Sequence, residues 1–148
     1  FMVLRENKAA ELFKSGMNCA QSVLAAFSEE LLLNTDDAAR VASAFGGGMG
    51  RLQEKCGAVT GAFMAIGLHC SNEFTDAKER KEKVHLLVQE FNAKFNSTRG
   101  STICRELMRC DLNTEEGKRY SEEKNLRENV CLPCVRTSVK LLNEMLGL

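Results

Sequence analysis

The stretch CGAVTGAFMAIGLHC, residues 56–70, decides the fold class of this chain. Its apolar residues fall on all sides of a helical wheel as far as Leu68, which is typical of a fully buried helix. Gly57, Gly61 and Ala65 recur every four residues, so another backbone can approach this face closely, within one chain or between two copies. The sequence therefore predicts a compact bundle built around one central apolar helix.

Amphipathic segments surround this helix in the chain, each with one apolar stripe at helical spacing. The predicted helices cover residues 5–15, 18–32, 35–45, 76–95, 101–108 and 130–146, whereas residues 111–129 are polar surface helix or loop. Asn18 with Gln21 forms a capping-box pattern, and Thr35 or Asp36 and then Thr114 are candidate caps further along the chain. Pro133 suits the first turn of the last helix. With one proline and few alternating β-branched residues, no strand is expected. The expected fold is an all-α, single-domain bundle of six to seven helices over residues 2–148, with Met2 as the natural start.

Charge and hydropathy exclude several classes of function. The 148-residue chain has 20 Lys plus Arg and 20 Asp plus Glu, so its formal net charge is zero. There is no basic excess for nucleic acid and no polybasic cluster for a lipid surface. The apolar stretches are too short for membrane insertion. Charged residues within positions 1–15 argue against a signal peptide, so we expect a cytoplasmic protein.

The seven cysteines point to sulfur chemistry. A chain of this length can build a core without cross-links. In a reducing compartment, an odd number of cysteines favours free thiols, a metal site or a redox pair over a structural disulfide framework.

Most of these cysteines are predicted near the start of a helix. Five lie within about one turn of such a start: Cys19, Cys56, Cys104, Cys131 and Cys134. Unpaired N–H groups and the helix dipole there favour the thiolate, which is both the nucleophile and the metal ligand. The alternative is that each cysteine packs as a small apolar residue, the interpretation we favour for Cys70 and Cys110.

Other motifs carry less information. Cys131 and Cys134 form a Cys-x-x-Cys without the βαβ context of a thioredoxin site, and zinc fingers need a second close pair. The glycine run at residues 46–50 lacks the Lys-Ser/Thr of a phosphate-binding loop. His69 and His85 lie in helical runs and are expected to be ordinary polar residues.

The pattern resembles a family of redox-active proteins described by a CGAxxG motif and four characteristic cysteines, the C-GCAxxG-C-C family. The resemblance lies in residues 16–24 around Cys19, in the glycine loop 45–51, in Cys56-Gly57-Ala58-Val59-Thr60-Gly61, and in residues 104–107. Both Cys131 and Cys134 compete for the fourth cysteine. Cys131 is the better match because Val135 of the final helix follows it by four residues.

The resemblance implies one site formed by Cys19, Cys56, Cys104 and Cys131, with Gly57 and Gly61 as candidate cofactor-binding positions. The family's name records an inferred redox activity, and its members often lie beside transporter genes. Related domains occur in a cytochrome that also holds an iron–sulfur cluster. Cys134 could replace or resolve Cys131.

Three functions follow. In the first, one thiol, with Cys56 the favoured candidate, attacks or is oxidised, and another resolves it as a disulfide. In the second, Cys19, Cys56, Cys104 and Cys131 hold zinc or an iron–sulfur cluster. In the third, the chain is a non-catalytic helical module for a transporter-associated partner. The expected partner is a redox or transporter-associated protein, and the glycine face also allows a homo-oligomer.

Overall fold

A computed structural model describes residues 2–148, apart from the side chains of Met2 and Val3; Phe1, ahead of the expected start, lies outside the described residues. The α-helices are α1 (Met2–Lys14), α2 (Cys19–Ala26), α3 (Thr35–Val41), α4 (Gly46–Met49), α5 (Gly57–Glu73), α6 (Ala77–Arg99), α7 (Cys104–Met108), α8 (Glu115–Glu123) and α9 (Leu132–Leu146). A 3₁₀ turn (Ser43–Phe45) precedes α4, and a π turn (Arg127–Cys131) precedes α9. Residues 2–148 contain no β-strand, so the all-α prediction is confirmed. Within the same residues, no helix combines the length and apolar character needed to cross a bilayer.

Helix α5 packs against α2, α6 and α9. Every residue from Gly57 to Ala62 is buried. A Cβ at Gly61 would lie 2.7 Å from the carbonyl oxygen of Ala20, so the glycine face of α5 packs against α2 of the same chain. Phe63 and Met64 are only half-buried. The helix is therefore enclosed at its N-terminal end and partly open towards its C-terminal end.

The first helix boundaries follow local capping. The predicted capping box is confirmed: Asn18 accepts a hydrogen bond from the Gln21 N–H, and the Gln21 side chain accepts one from the Asn18 N–H. The next helix is shorter than predicted, because α2 ends at Ala26 and the following turns bring Leu32 to a φ of 58°. Asn34, rather than Thr35 or the following aspartate, then caps α3.

The last α-helix opens at Leu132 with Pro133 in its first turn, as predicted, but the helical π turn directly ahead of it was not expected. The chain is helical without a break from Leu126, through the π turn, to the end of α9. Pro133 has no N–H, and its ring crowds the carbonyl four residues back. The π turn directly ahead widens the helix, with the Leu132 N–H bonded to the Arg127 carbonyl five residues back. Cys131 and Cys134 consequently lie inside a continuous helix.

Candidate functional site: a cavity lined by cysteines

Five of the seven cysteines line one small cavity of about 50 Å³. They come from the starts of α2, α5 and α7 and from the junction of the π turn with α9: Cys19, Cys56, Cys104, Cys131 and Cys134. The remaining walls are glycines and apolar side chains: Gly47, Gly48, Gly57, Leu107, Met108, Leu112 and Val130. The structure thus brings together the four cysteines singled out in the sequence, and adds Cys134, which was counted there as extra to the pattern.

The glycine run forms one wall because its backbone is left-handed. Gly47 and Gly48 have φ values of 68° and 67°, a region that suits glycine. A Cβ at Gly48 would lie 2.6 Å from the Cβ of Cys104 and 2.7 Å from the Cα of Gln53. Only glycine at this position lets Cys104 and the chain at residue 53 approach so closely.

A short antiparallel bridge sets Cys56 beside Cys104. The Cys56 N–H donates to the Thr102 carbonyl (2.8 Å), and the Cys104 N–H donates to the Glu54 carbonyl (2.7 Å). The two cysteines follow the bridged residues, Lys55 and Ile103, and begin or cap their helices there. A single bridged pair has no periodicity, so sequence reasoning could not find it.

Gln53 is a structural residue of the site that the sequence did not reveal. Its side chain is 1% exposed; Nε2 donates to the Cys110 carbonyl (2.9 Å), and Oε1 accepts from the Leu112 N–H (2.8 Å). It holds residues 110–112 over the cavity. A glutamine in a loop is usually exposed, so its type gives no signal of this role.

Cys56 and Cys134 form a buried thiol pair. Their side chains lie within hydrogen-bonding reach, and the bond from Cys134 lowers the pKa of Cys56. The N–H groups of Ala58 and Val59, at the start of α5, lower it further. The same hydrogen bond and burial raise the pKa of Cys134. Within the pair, Cys56 therefore has the lower pKa and Cys134 the higher one.

Cys19 and Cys131 form a second pair. A hydrogen bond from the Cys19 thiol lowers the pKa of Cys131, and the positive charge of Arg127 adds to this effect. The bond to Cys131, with burial, raises the pKa of Cys19. The Cys131 sulfur also lies 3.6 Å from the Met108 sulfur.

Cys104 stands apart as a neutral thiol, because burial raises its pKa to about 12. The expectation that a helix start lowers each thiol pKa holds for Cys56 but was wrong for Cys19, Cys104 and Cys134. Burial disfavours the charged form, and a thiol that donates to a neighbouring thiolate keeps its own proton.

The two pairs differ in access to solvent. Cys56 and Cys134 are buried, whereas Cys19 and Cys131 are half-buried and line an open cleft of about 550 Å³ outside the cavity. A reagent can therefore reach the outer pair first.

The two remaining cysteines do not line the cavity. Cys70 is fully buried in the apolar core, where burial raises its pKa. Cys110 is half-buried and packs beside Cys104 and Cys131 in a second apolar cluster. Both positions agree with the expectation that these two cysteines pack as small apolar residues.

The predicted cofactor positions separate in the structure. Gly57 lines the cavity, whereas Gly61 faces the backbone of α2. His85 lines a different groove, formed by residues of α2, α3, α5 and α6, and no cysteine lines that groove. Among residues 2–148, no three His, Cys, Asp or Glu side chains are grouped so that they could hold a metal ion. Cofactor binding at Gly57 and Gly61 stays a prediction.

Comparison with known proteins places the chain in a family. No curated protein and no solved structure matched it. One family model matched residues 17–145, a span that includes the glycine run and all five cavity cysteines. The chain therefore belongs to the family described as "Putative redox-active protein (C_GCAxxG_C_C)".

Proposed function

We propose that this protein carries out thiol–disulfide exchange, with Cys19 and Cys131 as the pair that meets the external reactant. The observation that carries the proposal is that these two half-buried thiols lie within hydrogen-bonding reach of each other and line an open cleft. Of the two, Cys131 has the lowered pKa and is the nucleophile, since the thiolate is the attacking species.

The reaction consumes one external disulfide and two thiols. The Cys131 thiolate attacks one sulfur of the disulfide, forms a mixed disulfide and releases the first external thiolate. Cys19 loses its proton to that leaving group and attacks the Cys131 sulfur. The second external sulfur leaves as a thiolate and takes up a proton from water. The protein ends with a Cys19–Cys131 disulfide, and the external disulfide has gained two electrons.

The inner pair provides a second dithiol for the same chemistry. The Cys56 thiolate attacks the Cys131 sulfur of the outer disulfide, and Cys19 leaves as a thiolate. Cys134 then gives its proton to Cys19 and attacks the Cys56 sulfur, which releases Cys131. Two electrons have moved from the inner pair to the outer pair. Supporting this, Cys56 and Cys131 line the same small cavity of about 50 Å³.

A trapping experiment tests the assignment. Reduced protein with both Cys19→Ser and Cys56→Ser, exposed to oxidised glutathione, should accumulate a mixed disulfide at Cys131, because neither thiol that attacks the Cys131 sulfur is left. The variant Cys131→Ser should form none at the outer pair, and Cys70→Ser, a core cysteine off the cavity, should behave as the unaltered protein. Peptide mapping by mass spectrometry reads each site. Equal trapping in all three variants would show that the outer pair has no special role.

A zinc or iron–sulfur site is the second candidate, favoured by five cysteine side chains around one cavity. Thiolates are the donors that these groups prefer. The donor type fits, but the arrangement of the described side chains is not that of a metal site, so no step of the exchange is assigned to a metal. Protein purified without oxygen should then contain less than about 0.1 equivalent of iron or zinc by elemental analysis. Near-stoichiometric metal, lost in Cys104→Ser, would favour the second candidate.

A further inference from the structure

The cleft outside Cys19 and Cys131 has the size of a small-molecule site. Its volume of about 550 Å³ is within the range of roughly 300–1,000 Å³ usual for ligand pockets. Cys19 and Cys131 line it together with Gly46 and Gly47, and Asn18 and Asn113 are among its polar residues. A molecule in the cleft would therefore lie directly over the thiols that the proposed function uses.

The charge of the cleft has one sign. Arg51 and Arg127 line it, and among the residues that the structure describes no Asp or Glu does. A pocket lined by charges of one sign attracts ligands of the opposite sign.

Both arginines are anchored at the cleft. Arg127 donates through Nη2 to the carbonyls of Phe13 (2.6 Å) and Met17 (3.1 Å), and its guanidinium lies 3.8 Å from the centre of the Phe13 ring. The stem of Arg51 crosses Gly47, where a Cβ would lie 2.8 Å from the Arg51 Cγ. No carboxylate within residues 2–148 forms an ion pair with either guanidinium. Both positive charges are thus available to a ligand.

We infer that the substrate of the outer thiol pair is a small disulfide that carries negative charge, bound in this cleft between Arg51 and Arg127. The inference rests on the proposed function and adds the class of oxidant to it. The carboxylates of the disulfide pair with the two guanidinium groups while one of its sulfurs faces Cys131. Exchange then proceeds as written above: one external disulfide becomes two thiols, and the Cys19–Cys131 disulfide forms.

The test compares three small disulfides of different charge on the full-length reduced protein: oxidised glutathione (anionic), hydroxyethyl disulfide (neutral) and cystamine (cationic). Second-order rate constants are measured by quenching and mass spectrometry. Each is divided by the rate constant of free 2-mercaptoethanol with the same disulfide, which removes intrinsic reactivity. We expect the normalised rate for the anionic disulfide to exceed that for the cationic one by about tenfold or more at low salt. At about 1 M salt, where charges are screened within about 3 Å, the ratio should approach one.

Charge variants locate the effect. Arg51→Gln should reduce the anionic preference severalfold, and Arg51→Lys should restore most of it. Lys78→Gln removes the same charge just beyond the far end of α5, a helix of 17 residues and so about 25 Å long; it should leave the preference unchanged. Substitution of Arg127 also removes its contacts with Phe13, which weakens folding. Arg127→Lys therefore keeps the positive charge, and it should retain the preference for the anionic disulfide.

The remaining outcomes separate the two claims. Equal normalised rates, a faster cationic disulfide, or equal loss in Arg51→Gln and Lys78→Gln would overturn the anionic cleft while leaving thiol exchange in place. No reaction with any of the three disulfides would overturn thiol exchange itself, and with it the inference built on it.

Discussion

At the scale of single residues, the proposed exchange depends on the charge of the Cys131 thiol. Cys131 is a half-buried cysteine whose pKa is lowered first by the hydrogen bond from Cys19 and then by Arg127. The sequence suggested a low pKa from a helix start, but Cys131 lies inside a continuous helix. Arg127 precedes Cys131 by only four residues, but the larger effect comes from Cys19, which lies far away in the chain and which local sequence cannot reveal.

The pH dependence of alkylation tests this cause. A lowered pKa keeps the thiolate at lower pH, so Cys131 should react with iodoacetamide at pH values where free cysteine is protonated. In Cys19→Ala the donor is lost, and the profile of Cys131 should move up by about one pH unit, since a hydrogen bond to a charge is worth about 1.5 kcal/mol. Cys19→Ser keeps a hydroxyl donor and should move it less. An unchanged profile in Cys19→Ala would assign the low pKa to another group.

A second prediction concerns the glycine wall of the cavity. Gly48→Ala should lower the free energy of unfolding by about 2 kcal/mol or more, because it combines a left-handed backbone with crowding. Gly147 has almost the same φ, 68° against 67°, and open space around a Cβ, so Gly147→Ala should cost only the backbone strain of about 1 kcal/mol. Urea unfolding measures the loss of stability in both variants. Equal losses would mean that the close approach of Cys104 and residue 53 does not require glycine at position 48.

At the scale of elements, capping signals predicted where helices begin better than where they end. The capping box of Asn18 and the cap at Thr114 are confirmed. The early end of α2 and the π turn before Pro133 were not predicted. Both depend on the path and packing of several consecutive residues, and no single residue marks them. The bridge between Lys55 and Ile103 is equally invisible in sequence, and it is the contact that brings two cysteines together.

The Asn18 cap should control the site as well as stability. Asn18→Ala should lower the free energy of unfolding by about 1 kcal/mol, the usual value of an N-cap, and should also loosen Cys19, the first residue of α2. The comparison is Asn34→Ala, which removes the same kind of cap from α3, away from the thiols. We expect a similar loss of stability in urea from both, but a change in Cys19 alkylation only from Asn18→Ala. The same change in both variants would mean that the cap has no local effect on the thiol.

At the scale of the whole molecule, the all-α class followed from periodicity and composition, and the cysteine cluster followed from recurrence at helix starts together with the family resemblance. The pairing of the cavity cysteines could not be predicted from the sequence. Cys134 was set aside because Cys131 is the better match to the fourth cysteine of the family pattern, and the sequence gives no phase for a helix that contains a π turn. In the structure, that helix turns Cys131 and Cys134 onto one cavity, and each meets a different partner.

The most direct test of the central claim is disulfide mapping of the oxidised protein. Reduced protein is treated with increasing equivalents of oxidised glutathione, the remaining thiols are blocked, and cross-linked peptides are identified by mass spectrometry. The account predicts Cys19–Cys131 as the disulfide at low equivalents and Cys56–Cys134 at higher ones, with Cys70 remaining reduced. No intramolecular disulfide among the cavity cysteines, or linkage confined to Cys70 and Cys110, would contradict it.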